Sequence, residues 1–437
     1  MALRRVIIGL AVLSTAVLLV SCGASGGGDK AGSGEVKGDI TFLTNRTDLK
    51  TDGTWDKYIA EFQKIHPGVN IKVEAITDYE GDLKTRLSTP NGYGDVLMFP
   101  ASLTPDQYAD FLEPLGKTKE LASSYRFLDI RSFEGVQYGI ALGGAAQGVL
   151  YNTEVFQKAG VATLPKTPQE FVAALKLVKE KTSAIPLYTN YKDGWPLGSW
   201  GGYLVAVSGD PDIQNKMAHD KSPWKEGSAI YVIDSLLYDT VRSGLTEPDP
   251  LTTNWEQSKG DLVTGKIATM MLGSWAITQF QGAAKAAGVS PTVVGFMPYP
   301  ATVNGKQYVP IGGDYNLSIN KNSSNKATAR AWMDWLLHKS GIVEAQGMVS
   351  AILDAPLPAN LSALQGNGIE LLELGAAPVG DEALFNNIAA KSQVDLLGPI
   401  YRQKLVDIAR GQSSGDMTSY FKQLNSSWGA TVSELAK

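Results

Sequence analysis

Between Asp39 and Ala75 the chain changes its hydrophobic period twice, and that change constrains the fold more than any other feature. Asp39-Ile40-Thr41-Phe42-Leu43-Thr44 alternates apolar and polar side chains, the period of a strand with one buried face. From Thr54 the apolar residues Trp55, Tyr58, Ile59, Phe62 and Ile65 recur at helical spacing until Pro67-Gly68 stops the run, and residues 69–75 alternate again. Strand, helix and strand joined by short connections form a βαβ unit, which implies a parallel sheet with a right-handed crossover. The pattern continues through a helix expected over residues 80–87 and a more continuously apolar strand at 95–99. The fold class is therefore α/β with an open, doubly wound sheet.

Ligands of such sheets sit outside the carboxyl ends of the strands. Three loops are nominated: Asn45-Arg46-Thr47-Asp48, Thr77-Asp78-Tyr79-Glu80 and Pro100-Ala101-Ser102. In the first, Arg46 can fork two hydrogen bonds and Asp48 can accept two, a match to vicinal hydroxyls, with Asn45 as a partner. Tyr79 and Glu80 are the candidates of the second. Further along, Thr167-Pro168-Gln169-Glu170 reads as a capping box with Pro at the first helical position. Long helices are expected at 326–337 and 399–409, and the Gly- and Trp-rich stretch 194–202 reads as a loop carrying aromatics.

With 437 residues, 43% hydrophobic and 19% charged, the chain has ordinary globular composition and the length of two or three structural units. Its 39 basic against 44 acidic residues argue against nucleic acid as a partner. One cysteine, Cys22, permits neither an intrachain disulfide nor a Cys-based zinc site. His66, His219 and His338 show no metal-ligand spacing, so neither a metal nor any cofactor is expected. No Walker A motif occurs, so any ATPase must be a separate polypeptide.

Residues 1–21 read as a signal peptide, with Arg4 and Arg5 ahead of an apolar run too short for a comfortable membrane span. The run ends Leu19-Val20-Ser21-Cys22, the form of a bacterial lipobox, and Cys22 is expected to carry the lipid. Residues 22–37 are then a flexible tether, and the protein is anchored to the extracytoplasmic face of the cell membrane. Gly23-Ala24-Ser25-Gly26-Gly27 matches the G-x-S-x-G nucleophile elbow only formally, since no strand precedes it and no helix follows.

Behind this leader, the order of motifs resembles the extracellular solute-binding lipoproteins of ABC sugar importers, the group that includes maltose-binding protein. The resemblance rests on Tyr138-Gly139-Ile140-Ala141, Val149-Leu150-Tyr151-Asn152, Pro165-Lys166-Thr167-Pro168-Gln169-Glu170-Phe171, Gly265-Lys266-Ile267-Ala268 with Met270, Gly273 and Trp275, and the stretch from Pro298 to Asp314. Ala141 departs from the more frequent Pro. The resemblance implies a two-lobed α/β fold with three inter-lobe crossings, near 145–149, 309–313 and 340–347. Lobe I would comprise 38–147 and 313–343, and lobe II 148–312 and 344–437, with Gly143-Gly144 and Gly312-Gly313 at hinges. It further implies a monomeric receptor that captures a carbohydrate, an oligosaccharide above all, and delivers it to ABC permease subunits.

Sugar recognition calls for flat aromatic faces and a few placed polar groups. The resemblance puts Trp275 of Gly273-Ser274-Trp275 in contact with sugar. Trp200, in the Gly-flanked stretch, is a second candidate; Trp195 and Trp255 stay open, while Trp332 and Trp335 form a core stripe with Leu336. Gly313, Asp314 and Tyr315, beside the expected hinge, complete the set. A glycoside hydrolase would need a carboxylate pair at defined separation, and the sequence singles out none; the expectation is a binding protein without catalytic residues. A receptor for a non-sugar ligand is the remaining alternative.

Overall fold

The βαβ unit forms where the period changes. In the computed structural model, which describes residues 34–436 except 78, 91, 101, 129, 367 and 397, β1 (Gly38–Thr44) and β2 (Val69–Ala75) pair in parallel from Gly38↔Val69 to Thr44↔Ala75. The Thr54–Ile65 helix between them buries Trp55, Tyr58 and Phe62. β3 (Val96–Met98) joins the other edge of β1, also parallel. The signal, the tether up to residue 33 and Cys22 lie outside the described residues.

A small ribbon follows, built from β4 (Gly116–Lys117), β5 (Ser132–Phe133) and β6 (Val136–Gln137). Two strands then dominate the molecule: β7 (Ile140–Asn152) and, after β8 (Ile185–Leu187), β9 (Ile267–Gly273) and β10 (Val294–Pro298), the equally long β11 (Gln307–Ile319). Short β12 (Val349–Ser350) and β13 (Ile369–Glu373) come last. The sheet order is β2-β1-β3-β11-β7-β9-β8, with β10 and β12 on β7 and β13 on β11.

The expected parallel sheet is thereby corrected to a mixed one. β11 runs antiparallel to β3 and to β7, and β7 antiparallel to β9 and β10. The physical reason is length: at 13 residues each, β7 and β11 span about 43 Å at ~3.3 Å per residue. β11 pairs with β3 at one end and β13 at the other, and β7 with β11 and β12 at one end and with β9 and β10 at the other, so ten strands form one continuous sheet.

Three cores pack on this frame. One joins β1–β3 to the Thr54–Ile65 and Lys326–His338 helices, with Trp332 and Trp335 stacked at 5.4 Å against Phe62, the core stripe read from the sequence. A second gathers the Pro168–Lys181, Ala229–Arg242, Ile400–Ala409 and Met417–Leu435 helices, and a third fills the other face of β7, β9 and β11. Thr167 caps its helix by accepting from the Glu170 amide, whereas the Glu170 carboxylate reaches the Lys166 amide instead of closing the reciprocal box.

The two long strands meet at glycines for steric reasons. A Cβ on Gly144 would lie 2.5 Å from the Phe127 ring and 2.7 Å from the Gly312 carbonyl; one on Gly313 would lie 2.7 Å from Phe127 Cβ. Gly144 and Gly313 are register partners, so the buried Phe127 seats across both strands where they cross from one set to the other.

Candidate functional site

The first βα connection is a short helix, Thr47–Thr51, where the sequence suggested a loop; buried Leu49 pins it to the core. That turn aims Arg46 and Asp48 at a cavity of about 580 Å³. Thr44 Oγ1 accepts from the Arg46 amide at 3.1 Å, and the Arg46 carbonyl accepts from buried Trp55 Nε1 at 3.2 Å. The guanidinium donates to both Asp48 oxygens at 2.9 and 2.8 Å and to Gln346 Oε1 at 2.6 Å, and lies 4.8 Å from the centre of the Tyr315 ring. Arg46 is thus held rigid, with 12% of its side chain exposed, while Asp48 is 61% exposed and faces the cavity. Burial works against the Asp48 carboxylate, but the Arg46 hydrogen bonds and charge outweigh it and hold its pKa below the ordinary value.

Trp275, which lines the cavity, belongs to a tryptophan cluster whose members open helices. Trp195, Trp255 and Trp275 are the first residues of Trp195–Gly198, Trp255–Val263 and Trp275–Ala286. Their rings converge pairwise at 4.9, 5.6 and 5.8 Å. Trp275 lines the cavity, and Trp195 is 41% exposed. Gly273 is required here: a Cβ would sit 2.5 Å from Trp275 Nε1, so only glycine lets the ring fold back over its own strand. Ser274 fastens the turn to β7, accepting from the Ala146 amide at 3.0 Å and donating its own amide to the Ala146 carbonyl at 2.7 Å.

A smaller pocket of about 110 Å³ shares Asn45 and Tyr315 with the large one and adds Tyr79, Glu80 and Asp314. Tyr79 is 5% exposed, and its hydroxyl donates to the Met98 carbonyl at 2.7 Å, so it offers the pocket a ring rather than a free hydroxyl. Burial raises the Asp314 pKa, offset in part by the Tyr315 amide at 2.7 Å and by Arg46. Tyr315 holds a φ of 48° within β11 and has no register partner on β7, although Asp314↔Gly143 and Asn316↔Ala141 pair on either side of it. Backbone strain of this kind costs about 1–3 kcal/mol and must be held by the surrounding structure.

Eight of the ten ligand candidates therefore line two connected cavities. Two do not. Trp200 needs correction: the stretch 194–202 coils into helical turns rather than a loop, and Trp200, 1% exposed and edge-on to Tyr203, is core. Gly313 lines neither cavity and serves the Phe127 contact described above. Sequence reading missed Lys259, Thr278, Gln279, Gln346 and Met348 in the large cavity and Arg131 and Asn316 in the small one. Thr278 and Gln279 stand three and four residues after Trp275 on one helix, and Lys259 four after Trp255, where it lies 5.0 Å from that ring; helical spacing could have found these three. A more open surface groove of about 660 Å³, from Asp212 to Lys221 with Ala376 and Pro378, has no Trp, Tyr or Phe in its lining. Among the described residues no helix is long and apolar enough to cross a membrane, and no acid, His or Cys cluster could hold a metal.

The family model for bacterial extracellular solute-binding proteins matches residues 47–341. The chain belongs to that family. Among solved structures, this solute-binding protein is similar to BlMnBP2 of Bifidobacterium animalis subsp. lactis, a manno-oligosaccharide-specific solute-binding protein in complex with mannotriose. The two share 34% identity and a TM-score of 0.82 over 91% of this chain and 95% of that one. BlMnBP1 from the same organism, a binding protein of an ABC transporter in complex with mannobiose, shares 34% identity and a TM-score of 0.83 over 93% of this chain and all of that one. The multiple sugar-binding protein of Streptococcus mutans is 23% identical over 334 residues, 74% of this chain and 76% of that protein. The fold is the two-lobed α/β fold of these receptors, and this solute-binding protein captures a carbohydrate for import by an ABC transporter.

Proposed function

We propose that the cargo is a manno-oligosaccharide, held between the tryptophan cluster and the Arg46–Asp48 wall and released unchanged to the permease. The observation that carries this reading is the pairing, across one cavity, of the Trp275 ring with a rigid, arginine-backed carboxylate at Asp48. A pyranose presents a C–H face and an edge of hydroxyls, and those two walls suit the two surfaces. Asn45, Tyr79, Glu80, Asp314 and Tyr315 extend the polar side. The relatives solved with mannobiose and mannotriose, at 34% identity, support the choice of mannose units.

In this reading lobe I is formed by 38–147 and 313–343 and lobe II by 148–312 and 344–437, and the receptor is a monomer that carries out no reaction. Cys22 bears the lipid that tethers it to the outer face of the membrane, with permease and ATPase as separate chains. Cys22→Ser is expected to shed the protein into the medium, and continued retention in the membrane fraction would refute the anchor.

The test is a thermal-shift panel of mannobiose, mannotriose, chitobiose, maltotriose and raffinose on the Cys22→Ser chain. At 100-fold excess over Kd a ligand adds about 2.7 kcal/mol of stability, a shift of several degrees. Shifts confined to the mannosides support the reading; a larger shift with another sugar reassigns the cargo.

A further inference from the structure

Within residues 125–128 the chain leaves one core for another and returns. Tyr125 and Leu128 are buried in the first core, whereas Phe127 between them is buried in the third, with Ala141, Ala146, Val309, Ile311 and Val349. A left-handed backbone makes the switch. Phe127 holds a φ of 64°, which a bulky side chain keeps only where its surroundings hold it there.

Those surroundings are the connections between the lobes. The edge of the Phe127 ring lies 2.5 Å from where Gly144 of β7 would carry a Cβ, and Phe127 Cβ lies 2.7 Å from the same position on Gly313 of β11. The third connection runs alongside. The Arg126 amide donates to the Ala351 carbonyl at 2.8 Å, the Leu353 amide to the Ser124 carbonyl at 3.1 Å, and Arg126 Nη2 to the Leu353 carbonyl. Residues 124–127 therefore brace all three connections without forming one of them.

A single side chain ties down the amide of Phe127. Glu373, the last residue of β13, accepts from it at 2.9 Å through Oε2, and Glu373 Oε1 lies 4.0 Å from Arg126 Nε. β13 rides on β11, with Glu373 beside Ile311, two residues before Gly313. Because the ring fills the space between Gly144 and Gly313, the strands cannot turn there without moving it. Neither Phe127 nor Glu373 lines either ligand cavity.

We infer that Phe127 is a wedge that sets how far the lobes turn against each other, and that the Glu373 carboxylate is the latch that keeps it seated while Asp48 and Trp275 face one cavity. The inference rests on the two-lobe reading above. Both are positioning residues: they touch no sugar and act on affinity through the fraction of molecules whose two walls face each other.

The test uses the full chain carrying Cys22→Ser, with calorimetry against mannotriose and small-angle X-ray scattering of the unliganded protein. Glu373→Ala leaves the buried Phe127 amide without its acceptor, so the wedge loosens and the binding-ready arrangement loses population. Mannotriose affinity is expected to fall at least fivefold, and the unliganded radius of gyration to exceed that of wild type. Glu373→Gln keeps an acceptor at the same reach and is expected to match wild type in scattering and to within twofold in affinity. Phe127→Ala empties the seat and is expected to repeat the Glu373→Ala result; should it fail to fold, Glu373→Ala carries the test. A smaller loss of affinity in Glu373→Ala, or an unliganded profile that superposes on wild type, overturns the latch, since a merely structural contact would lower the melting temperature and move neither. A Glu373→Gln chain as weak as Glu373→Ala overturns it too. A wild-type chain that ignores mannotriose overturns the cargo reading alone; the unliganded scattering needs no sugar and then decides the latch by itself.

Discussion

Two Arg–Asp pairs in this molecule use the same chemistry for opposite ends. Arg402 and Asp234 are both 0% exposed in the second core. Asp234 accepts from Arg402 Nε at 3.0 Å, from Trp224 Nε1 at 2.8 Å and from the Tyr401 hydroxyl, and Arg402 also donates to the carbonyls of Leu197, Gly198 and Leu396. Arg46 and Asp48 are bonded as closely, but the carboxylate is 61% exposed on a cavity. The buried pair directs its hydrogen bonds inward and fixes the turn that carries Trp195. The cavity pair fixes only its arginine and leaves carboxylate lone pairs facing the cavity. An ion pair is therefore structural or functional according to where its remaining acceptors point.

The comparison breaks most visibly at the buried pair. Asp234→Ala leaves a buried guanidinium without its counter-charge, which costs about 3–5 kcal/mol. Urea unfolding of the unliganded protein should show that loss; a change below about 1 kcal/mol would mean the pair is dispensable to the fold. Trp275→Ala weighs the other way. Its loss of unliganded stability is smaller than that of Asp234→Ala, since its partly buried ring packs against Trp195 and Trp255. About a 30-fold loss of mannotriose affinity is expected, the order of a binding hot spot near 2 kcal/mol. Calorimetry reads the split. Arg46→Lys keeps the charge but loses the fork that holds Asp48 and Gln346, and about a tenfold loss of affinity is expected, with folding unchanged by circular dichroism.

The smallest expected effect is in pH. Burial raises the Asp314 pKa, so this carboxyl takes up a proton on acidification before an ordinary carboxylate does. Because its folded pKa lies above its unfolded one, the unliganded protein gains stability from this group as pH falls through the folded value. A sugar hydroxyl that donates to the carboxylate loses its acceptor over the same window, so mannotriose affinity should fall a few-fold while unliganded stability moves the other way. Asp48, held below the ordinary value, stays ionised there. Asp314→Asn should flatten both profiles; an unchanged affinity profile would remove Asp314 from the site.

The βαβ unit was legible because each element carries its own period: β2 and the Thr54–Ile65 helix lie at the positions the alternation and the Trp55, Tyr58, Phe62 spacing indicate. The loops at strand ends led to Asn45, Arg46, Asp48, Tyr79 and Glu80 for the same topological reason. Sequence reading puts Trp200 ahead of Trp195, the wrong order, since one Gly-rich stretch places Trp200 in the core and leaves Trp195 partly exposed, and the Arg402 contacts that fix this turn arrive from about 200 residues away. Gln346 gave no local signal either, because it meets Arg46 from 300 residues away.

The central claim is that sugar lies between Trp275 and the arginine-backed Asp48. A crystal structure grown with mannotriose tests it most directly. A ring packed on Trp275, with hydroxyls within hydrogen-bond distance of Asp48, is the expected result. Mannotriose bound at saturation in any other place, with this cavity holding only solvent, would contradict it.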